Sequence, residues 1–172
     1  MMEPITKFLK PADALTVMNA LSGMAAIVYF SHGNIMSGAL AMLAATFFDA
    51  IDGKVARMMG GGTPFGKALD FADLISFGAA PAFLITFLVG GYVSYAIAAI
   101  FLTASLLRLA RFNVTNTPFF IGMPTTLNGV IFPAVFFLQR LLGFSNYAFV
   151  AAALVSSALM LGSFRLGLKL SK

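Results

Sequence analysis

Six long apolar stretches, at residues 14–31, 35–58, 67–89, 92–112, 121–142 and 145–168, leave this chain very few ways to fold. Crossing a bilayer takes about 20 apolar residues as a helix, so each stretch is long enough. Only 10% of the 172 residues are charged and 60% are hydrophobic, whereas a soluble domain is roughly 25% charged. That much apolar surface needs lipid as its solvent. In lipid every backbone polar group must be satisfied internally, which leaves helices or a closed barrel. The runs are too long for barrel strands and do not alternate. The expected fold is therefore an all-α integral membrane protein, a six-transmembrane-helix bundle forming one domain over residues 1–172. No length is left for a separate soluble domain.

The breaks between stretches carry turn formers: Ser31-His32-Gly33-Asn34, Gly60-Gly61-Gly62-Thr63-Pro64, Gly90-Gly91, Asn116-Thr117-Pro118 and Gly143-Phe144-Ser145-Asn146. Such residues supply positive φ or end a helix. Basic residues are distributed unequally around them. Lys7, Lys10, Lys54, Arg57, Lys67, Arg108, Arg111, Arg165, Lys169 and Lys172 fall on one side of the predicted topology, and Arg140 alone on the other. Excess Lys and Arg mark the cytoplasmic side, so both termini are expected there. The same asymmetry accounts for the net charge of +5 without any nucleic-acid partner. Lys7 and Lys10 ahead of an apolar run could suggest a signal peptide, but the run continues past Tyr29 with no convincing cleavage site, and five more follow. Cysteine is absent, which excludes disulfides and thiolate metal sites. Small residues recur within the spans (Gly38, Ala41, Ala45, Ser105, Ala110, 151–153, 156–158) and allow close helix approach. They fit a dimer seam no better than simple bundle packing. His32, on an expected outer loop, is assigned no function.

The acidic residues are the informative ones. Of six, four (Asp49, Asp52, Asp70 and Asp73) fall at the cytoplasmic ends of the second and third stretches. An aspartate inside a span costs about 2.5–3.5 kcal/mol, and four together repel, so a cation must compensate. Asp49 and Asp52 are three apart and share a helix face, as do Asp70 and Asp73. A short Gly-rich connection makes the two stretches a hairpin and turns the pairs toward each other. Oxygen-only ligands suit Mg²⁺ or Mn²⁺ rather than zinc. Two other readings exist: ion pairing with Lys54, Arg57 and Lys67, or a cation or proton path through the membrane. The intervening residues speak against transport. Gly53 permits close backbone approach, Ala56 and Gly66 are small, and Arg57 is a fork donor suited to phosphate. Metal, small residues and an arginine suit a nucleotide diphosphate.

The run Asp49-x2-Asp52-Gly53-x2-Ala56-Arg57-x8-Gly66-x3-Asp70-x2-Asp73 resembles the signature of the CDP-alcohol phosphotransferase family. The likeness extends over the whole chain, since that family's core is six transmembrane helices. The family places three residues between its last two aspartates, where this chain has only Phe71 and Ala72. Both spacings share a helix face, and a π-turn or local unwinding nearby would re-aim Asp73. The resemblance implies transfer of a substituted phosphate from a CDP-linked lipid to an alcohol, with release of CMP. It implies that Asp49, Asp52 and Asp70, with Asp73 assisting, ligate two divalent ions, Mg²⁺ or Mn²⁺. It makes Asp73 the general base. Asp52, Gly53, Ala56, Arg57 and Gly66, with Thr16 and Asn19, fall to CDP binding. It also implies a homodimer in a prokaryotic cytoplasmic membrane, with the active site facing the cytoplasm.

For the acceptor, Arg108-Leu109-Ala110-Arg111-Phe112-Asn113 and Phe120-Ile121-Gly122-Met123-Pro124-Thr125 look like segments of the phosphatidylserine synthase branch. Ser76-Phe77-Gly78, Pro81 and the start Asp13-Ala14-Leu15-Thr16-Val17-Met18-Asn19 resemble it too. Arg108, Arg111 and Asn113 are therefore expected to bind the acceptor, L-serine, through its carboxylate. Inositol phosphate or glycerol phosphate would also welcome arginine. The lipid donor is CDP-diacylglycerol or its archaeal diether equivalent, and the residues do not choose between ester and ether tails.

Overall fold

The computed structural model describes residues 10–59, 66, 69, 71–115 and 119–169. Helix α1 (Pro11–Ser31) starts with proline at its first position, where a missing N–H costs nothing. Asp13 accepts the Lys10 backbone N–H at 2.7 Å. Gly33, at φ +74°, and Asn34, which accepts the Ser37 N–H, turn the chain into α2 (Ile35–Met58).

These two helices pack through small residues and expose large ones. Ala26, Ala39 and Ala45 are buried, while Val17, Leu21, Met24, Leu40 and Phe47 are exposed. A Cβ on Gly38 would lie 2.1 Å from the Phe30 ring, so only glycine lets the hairpin close. Water would not tolerate such an exterior, because soluble monomers rarely show apolar patches beyond a few hundred Å². In a bilayer the exterior contacts lipid, and close backbone approach drives association.

The third span is composite. A short α3 (Ala72–Leu74) leads into a π-helical turn, Ile75–Ala79, and then α4 (Ala80–Val89). Neighbouring helices hold the π-turn. The Ser76 hydroxyl donates to the Asn19 carbonyl on α1 at 2.9 Å, and Gly23 leaves no room for a Cβ against Ser76. The Asn128 amide donates to the Phe77 carbonyl at 3.3 Å. Then follow α5 (Gly91–Val114), α6 (Asn128–Leu142) and α7 (Tyr147–Leu161). Their core includes Phe132, with Phe101 edge-on at 5.3 Å and Phe149 stacked at 6.5 Å. Each such pair is worth about 0.5–1.5 kcal/mol beyond area burial.

Five helical segments of the described residues are long and apolar enough to cross a membrane: Pro11–Ser31, Ile35–Met58, Ala72–Val89, Gly91–Val114 and Thr125–Leu142. The chain is a helical, multi-pass membrane protein. Expected and observed spans differ most at the start of the fifth and the end of the sixth. The start expected at residue 67 lies partly outside the described residues, and continuous description begins at Phe71. The fifth span begins at a 3₁₀ turn, Thr125–Leu127, rather than at Ile121. Gly122 has φ +70°, and Pro124 disfavours helical φ/ψ at Met123. The sixth helix stops at Leu161, not residue 168, and has 15 residues. That is about 22 Å of helix, against a hydrocarbon core of about 30 Å. Gly162 ends it with an extended backbone, ψ 151°. Beyond it, β2 (Arg165–Lys169) pairs antiparallel with β1 (Phe119–Ile121). This local strand pair departs from the all-helical expectation. It gives backbone groups outside the helices partners that the helices cannot supply.

Candidate functional site

The C-terminal half of α2, the start of α3, the end of α5 and the approach to α6 converge on one cavity of ≈360 Å³. Asp49, Asp52, Gly53 and Arg57 line it from α2, and Asp73 from α3. Arg108, Leu109 and Phe112 come from α5, and Pro124, Thr125 and Thr126 from the turn before α6. The aspartate spacing explains the acidic wall: residues 49, 52 and 53 follow one helix face. A Cβ on Gly53 would meet nothing nearer than an Arg57 nitrogen at 3.6 Å. The glycine therefore opens the cavity rather than relieving a clash within the protein.

The acidic wall is braced by α1. Thr16 donates its hydroxyl to Asp52 Oδ2 at 2.7 Å, and Asn19 donates its amide to Asp73 Oδ1 at 2.6 Å. Asp70 lies outside the described residues. Gly66 is helical and half-buried, and like Ala56 it does not line the cavity.

The donor set fits hard divalent cations. The described carboxylates on the cavity offer oxygen only, without sulfur or imidazole. Among the described residues, no three His, Cys, Asp or Glu side chains stand close enough to hold an ion by themselves.

The opposite wall is basic. Arg108 is 4% exposed; its Nε donates to the Met123 carbonyl at 3.0 Å, and its guanidinium carbon sits 5.5 Å from the Phe112 ring centroid. No carboxylate among the described residues pairs with it. A buried cation without a counter-ion is costly, and here it faces a cavity with room for one. Arg111, expected beside it, is used differently. Its Nη2 donates to the Met160 carbonyl at 2.8 Å, Ile121 at 3.2 Å and Gly162 at 3.3 Å, and its Nη1 to Leu161 at 3.4 Å. These include the last carbonyls of α7, which have no intrahelical donor. Arg111 does not line the cavity, and neither does Asn113, whose Nδ2 is buried without a hydrogen-bond partner.

The sequence reading gives no role to Thr125, the last residue of the quoted segment, or to Thr126 after it. Thr125 is 4% exposed yet lines the cavity. The available signal was a pair of hydroxyls just after a proline, at the mouth of an apolar span.

Comparison with known proteins places the chain in a family. The profile of the CDP-alcohol phosphatidyltransferase family matches residues 9–163. An archaetidylserine synthase of Methanothermobacter thermautotrophicus is 34% identical over 166 residues, 92% of this chain and 70% of that protein. A CDP-diacylglycerol–serine O-phosphatidyltransferase of Methanocaldococcus jannaschii is 36% identical over 121 residues, 70% of this chain and 57% of that protein. One from Bacillus subtilis is 33% identical over 122 residues, 67% of this chain and 69% of that protein. The matched region thus spans between 57% and 70% of the length of these relatives. With the profile covering nearly all of the sequence, the chain belongs to the CDP-alcohol phosphatidyltransferase family.

Proposed function

We propose that this chain transfers the phosphatidyl-type group of a CDP-linked lipid to the hydroxyl of L-serine, releasing CMP, as a step of phospholipid synthesis. The observation that carries the proposal is one cavity with a carboxylate wall, Asp49, Asp52 and Asp73, facing a buried arginine, Arg108. The names of the relatives favour serine.

In the reaction, the serine hydroxyl oxygen attacks the lipid-bearing phosphorus, and the bond from that phosphorus to the bridging oxygen breaks. CMP departs with the bridging oxygen. Asp73, at the head of α3, takes the hydroxyl proton. Arg108 holds the serine carboxylate through its guanidinium, and Thr125 and Thr126 offer hydroxyls beside it. Gly53 leaves room for the nucleotide. Arg57 stands at the same wall, and Ala56 and Gly66, small residues of the same run, are read with Gly53 as leaving room for the cytidine and ribose. Asp49, Asp52 and Asp70, with Asp73, would hold two Mg²⁺ or Mn²⁺ ions. Bound there, the ions supply neutralisation of the pyrophosphate and of the leaving CMP. Catalysis rests on positioning and preorganised charge.

The orientation follows from the Lys and Arg asymmetry: cavity and both termini face the cytoplasm of a prokaryotic cell membrane. In this reading α7 completes a six-span bundle. Local bilayer thinning accommodates its short length. The functional unit is a homodimer, as the family resemblance implies.

The test is CMP release by detergent-purified protein from CDP-diacylglycerol or its diether counterpart. Serine, inositol phosphate and glycerol phosphate are supplied in parallel, with Mg²⁺, with Mn²⁺ and with a chelator. Release with serine alone, abolished by the chelator, is expected. Release only with a phosphorylated acceptor overturns the serine assignment. Ion flux without any CMP overturns the enzyme reading. Asp49→Asn should remove turnover and weaken metal binding.

A further inference from the structure

A proline inside a helix removes the N–H owed to the carbonyl four residues before it and crowds that carbonyl. In the third span, Ala72–Val89, the proline is Pro81 and the carbonyl belongs to Phe77. Phe77 is the middle residue of the π-turn, Ile75–Ala79, where the span departs from α-helical bonding. In lipid, neighbouring helices must satisfy the backbone groups that a proline frees. Asn128, the first residue of α6, does so: its amide donates to the Phe77 carbonyl at 3.3 Å. We propose that Asn128 is a positioning residue, which locks the π-turn from the acceptor side of the cavity and so fixes the direction of Asp73.

Three observations support this. First, Asn128 is fully buried, and its Oδ1 has no hydrogen-bond partner among the described residues. A buried unsatisfied acceptor costs stability, and its retention calls for a reason. The amide nitrogen has two acceptors in reach, the Phe77 carbonyl and Met160 Sδ at 3.5 Å. The nitrogen therefore faces them and the oxygen is stranded. A leucine would fill much the same space with no stranded oxygen, and would lack only the donor. Second, a Cβ on Gly129 would overlap both the Phe77 ring and Thr46 Oγ1. Glycine there lets the start of α6 come up against the π-turn and α2 together, which brings Asn128 within reach. Third, these contacts lie one turn away from cavity residues on three elements. Thr46 is three residues before Asp49, Phe77 four after Asp73 and Asn128 three after Thr125. Residues so spaced share a face.

The consequence is mechanical. The π-turn begins two residues after Asp73. If it migrated along the span or closed to an α-turn, the segment before it would rotate, and Asp73 with it. Asn128 ties that segment to the stretch that carries Thr125 and Thr126 to the cavity. The proton acceptor and the wall that receives serine are thereby held at a fixed separation.

This inference rests on the transferase reading, and the experiment separates the two. Wild type, Asn128→Leu and Met160→Leu are compared in detergent for turnover number, KM for the CDP-lipid and for serine, and thermal midpoint. A misplacement of about 1 Å can cost on the order of 10²-fold in rate. Asn128→Leu should therefore lose about 10–100-fold in turnover, with both KM values within a few-fold of wild type. Met160→Leu removes the sulfur acceptor, conserves volume and leaves the bond to Phe77, so its turnover should stay within a few-fold of wild type. An equal loss in Met160→Leu makes the effect one of packing and overturns the proposal. So does a lowered thermal midpoint of Asn128→Leu with normal turnover of the folded enzyme. A raised serine KM at unchanged turnover moves Asn128 to the acceptor wall and also overturns it. Should Asn128→Leu fail to fold, Asn128→Ala, which removes the donor without adding bulk, decides by the same readings. A wild type that releases no CMP with any acceptor sinks the transferase reading and this inference with it. An active wild type matched by an equally active Asn128→Leu sinks only this inference.

Discussion

Arg108 and Arg111 lie three residues apart on α5, and the fold puts them to opposite uses. Arg108 is buried at the cavity, with one bond to the Met123 carbonyl and no described carboxylate beside it. Arg111 is spent on the backbone, with bonds to the carbonyls of Ile121, Met160, Leu161 and Gly162. One guanidinium retains donors for a ligand, and the other ends a helix. A basic residue at a helix end thus takes its role from whatever lacks a donor nearby. For Arg111 this is the carbonyl end of α7, and for Arg108 it is an empty space of the right polarity.

Substitutions can break or sharpen the contrast. The largest effect is expected from Arg108→Met. Losing one member of a buried charge pair costs about 2–5 kcal/mol, so kcat/KM for serine should fall on the order of 10²–10³-fold while CDP-lipid binding persists. Steady-state kinetics with each substrate varied would show it. An unchanged serine KM would break the contrast by removing the ligand role. Arg111→Met should instead lower stability, by about 3 kcal/mol. The change strands several carbonyls, and an unsatisfied buried group costs about 1–3 kcal/mol. Thermal unfolding in detergent reads this, and turnover of the surviving folded enzyme should stay within a few-fold of wild type. A selective rise in serine KM would return Arg111 to the acceptor site. Gly122→Ala probes the same seam more gently. A Cβ there meets the Met160 carbonyl at 2.7 Å and Arg111 Nη2 at 2.8 Å, at φ +70°. A loss of about 2 kcal/mol is expected from overpacking and backbone strain, again without change in serine KM. The smallest effect belongs to Thr126→Val, which removes one cavity hydroxyl. About 1 kcal/mol, read as a several-fold rise in serine KM at constant stability, would extend the acceptor wall from Arg108 onto the turn before α6.

The same contrast shows how far the sequence could be read. Charge, helical spacing and the resemblance of Arg108-x2-Arg111-Phe112-Asn113 to the phosphatidylserine synthase branch all point both arginines at the acceptor. Nothing in Arg108-x2-Arg111 says that Gly162 ends a helix nearby, since residues 111 and 162 meet only in three dimensions. The acidic wall was more legible. A pair three residues apart shares a face whatever the tertiary fold, and a hairpin with a short connection brings two such pairs together. Thr16 and Asn19 are expected at the nucleotide from the family resemblance, whereas only the tertiary fold shows that they donate to Asp52 and Asp73.

The apolar stretches and their breaks by themselves determined that the chain is helical and crosses a membrane several times. They also set its second helix to the residue and its first to within three, because hydropathy and helical period are properties of local segments. Tertiary structure alone decided that α7 ends early and that residues 165–169 pair with 119–121. It likewise decided which bonds hold the π-turn after Asp73, those of Ser76 and Asn128. Each of these settles which backbone groups find partners, and in a long chain those partners come from residues far away in sequence.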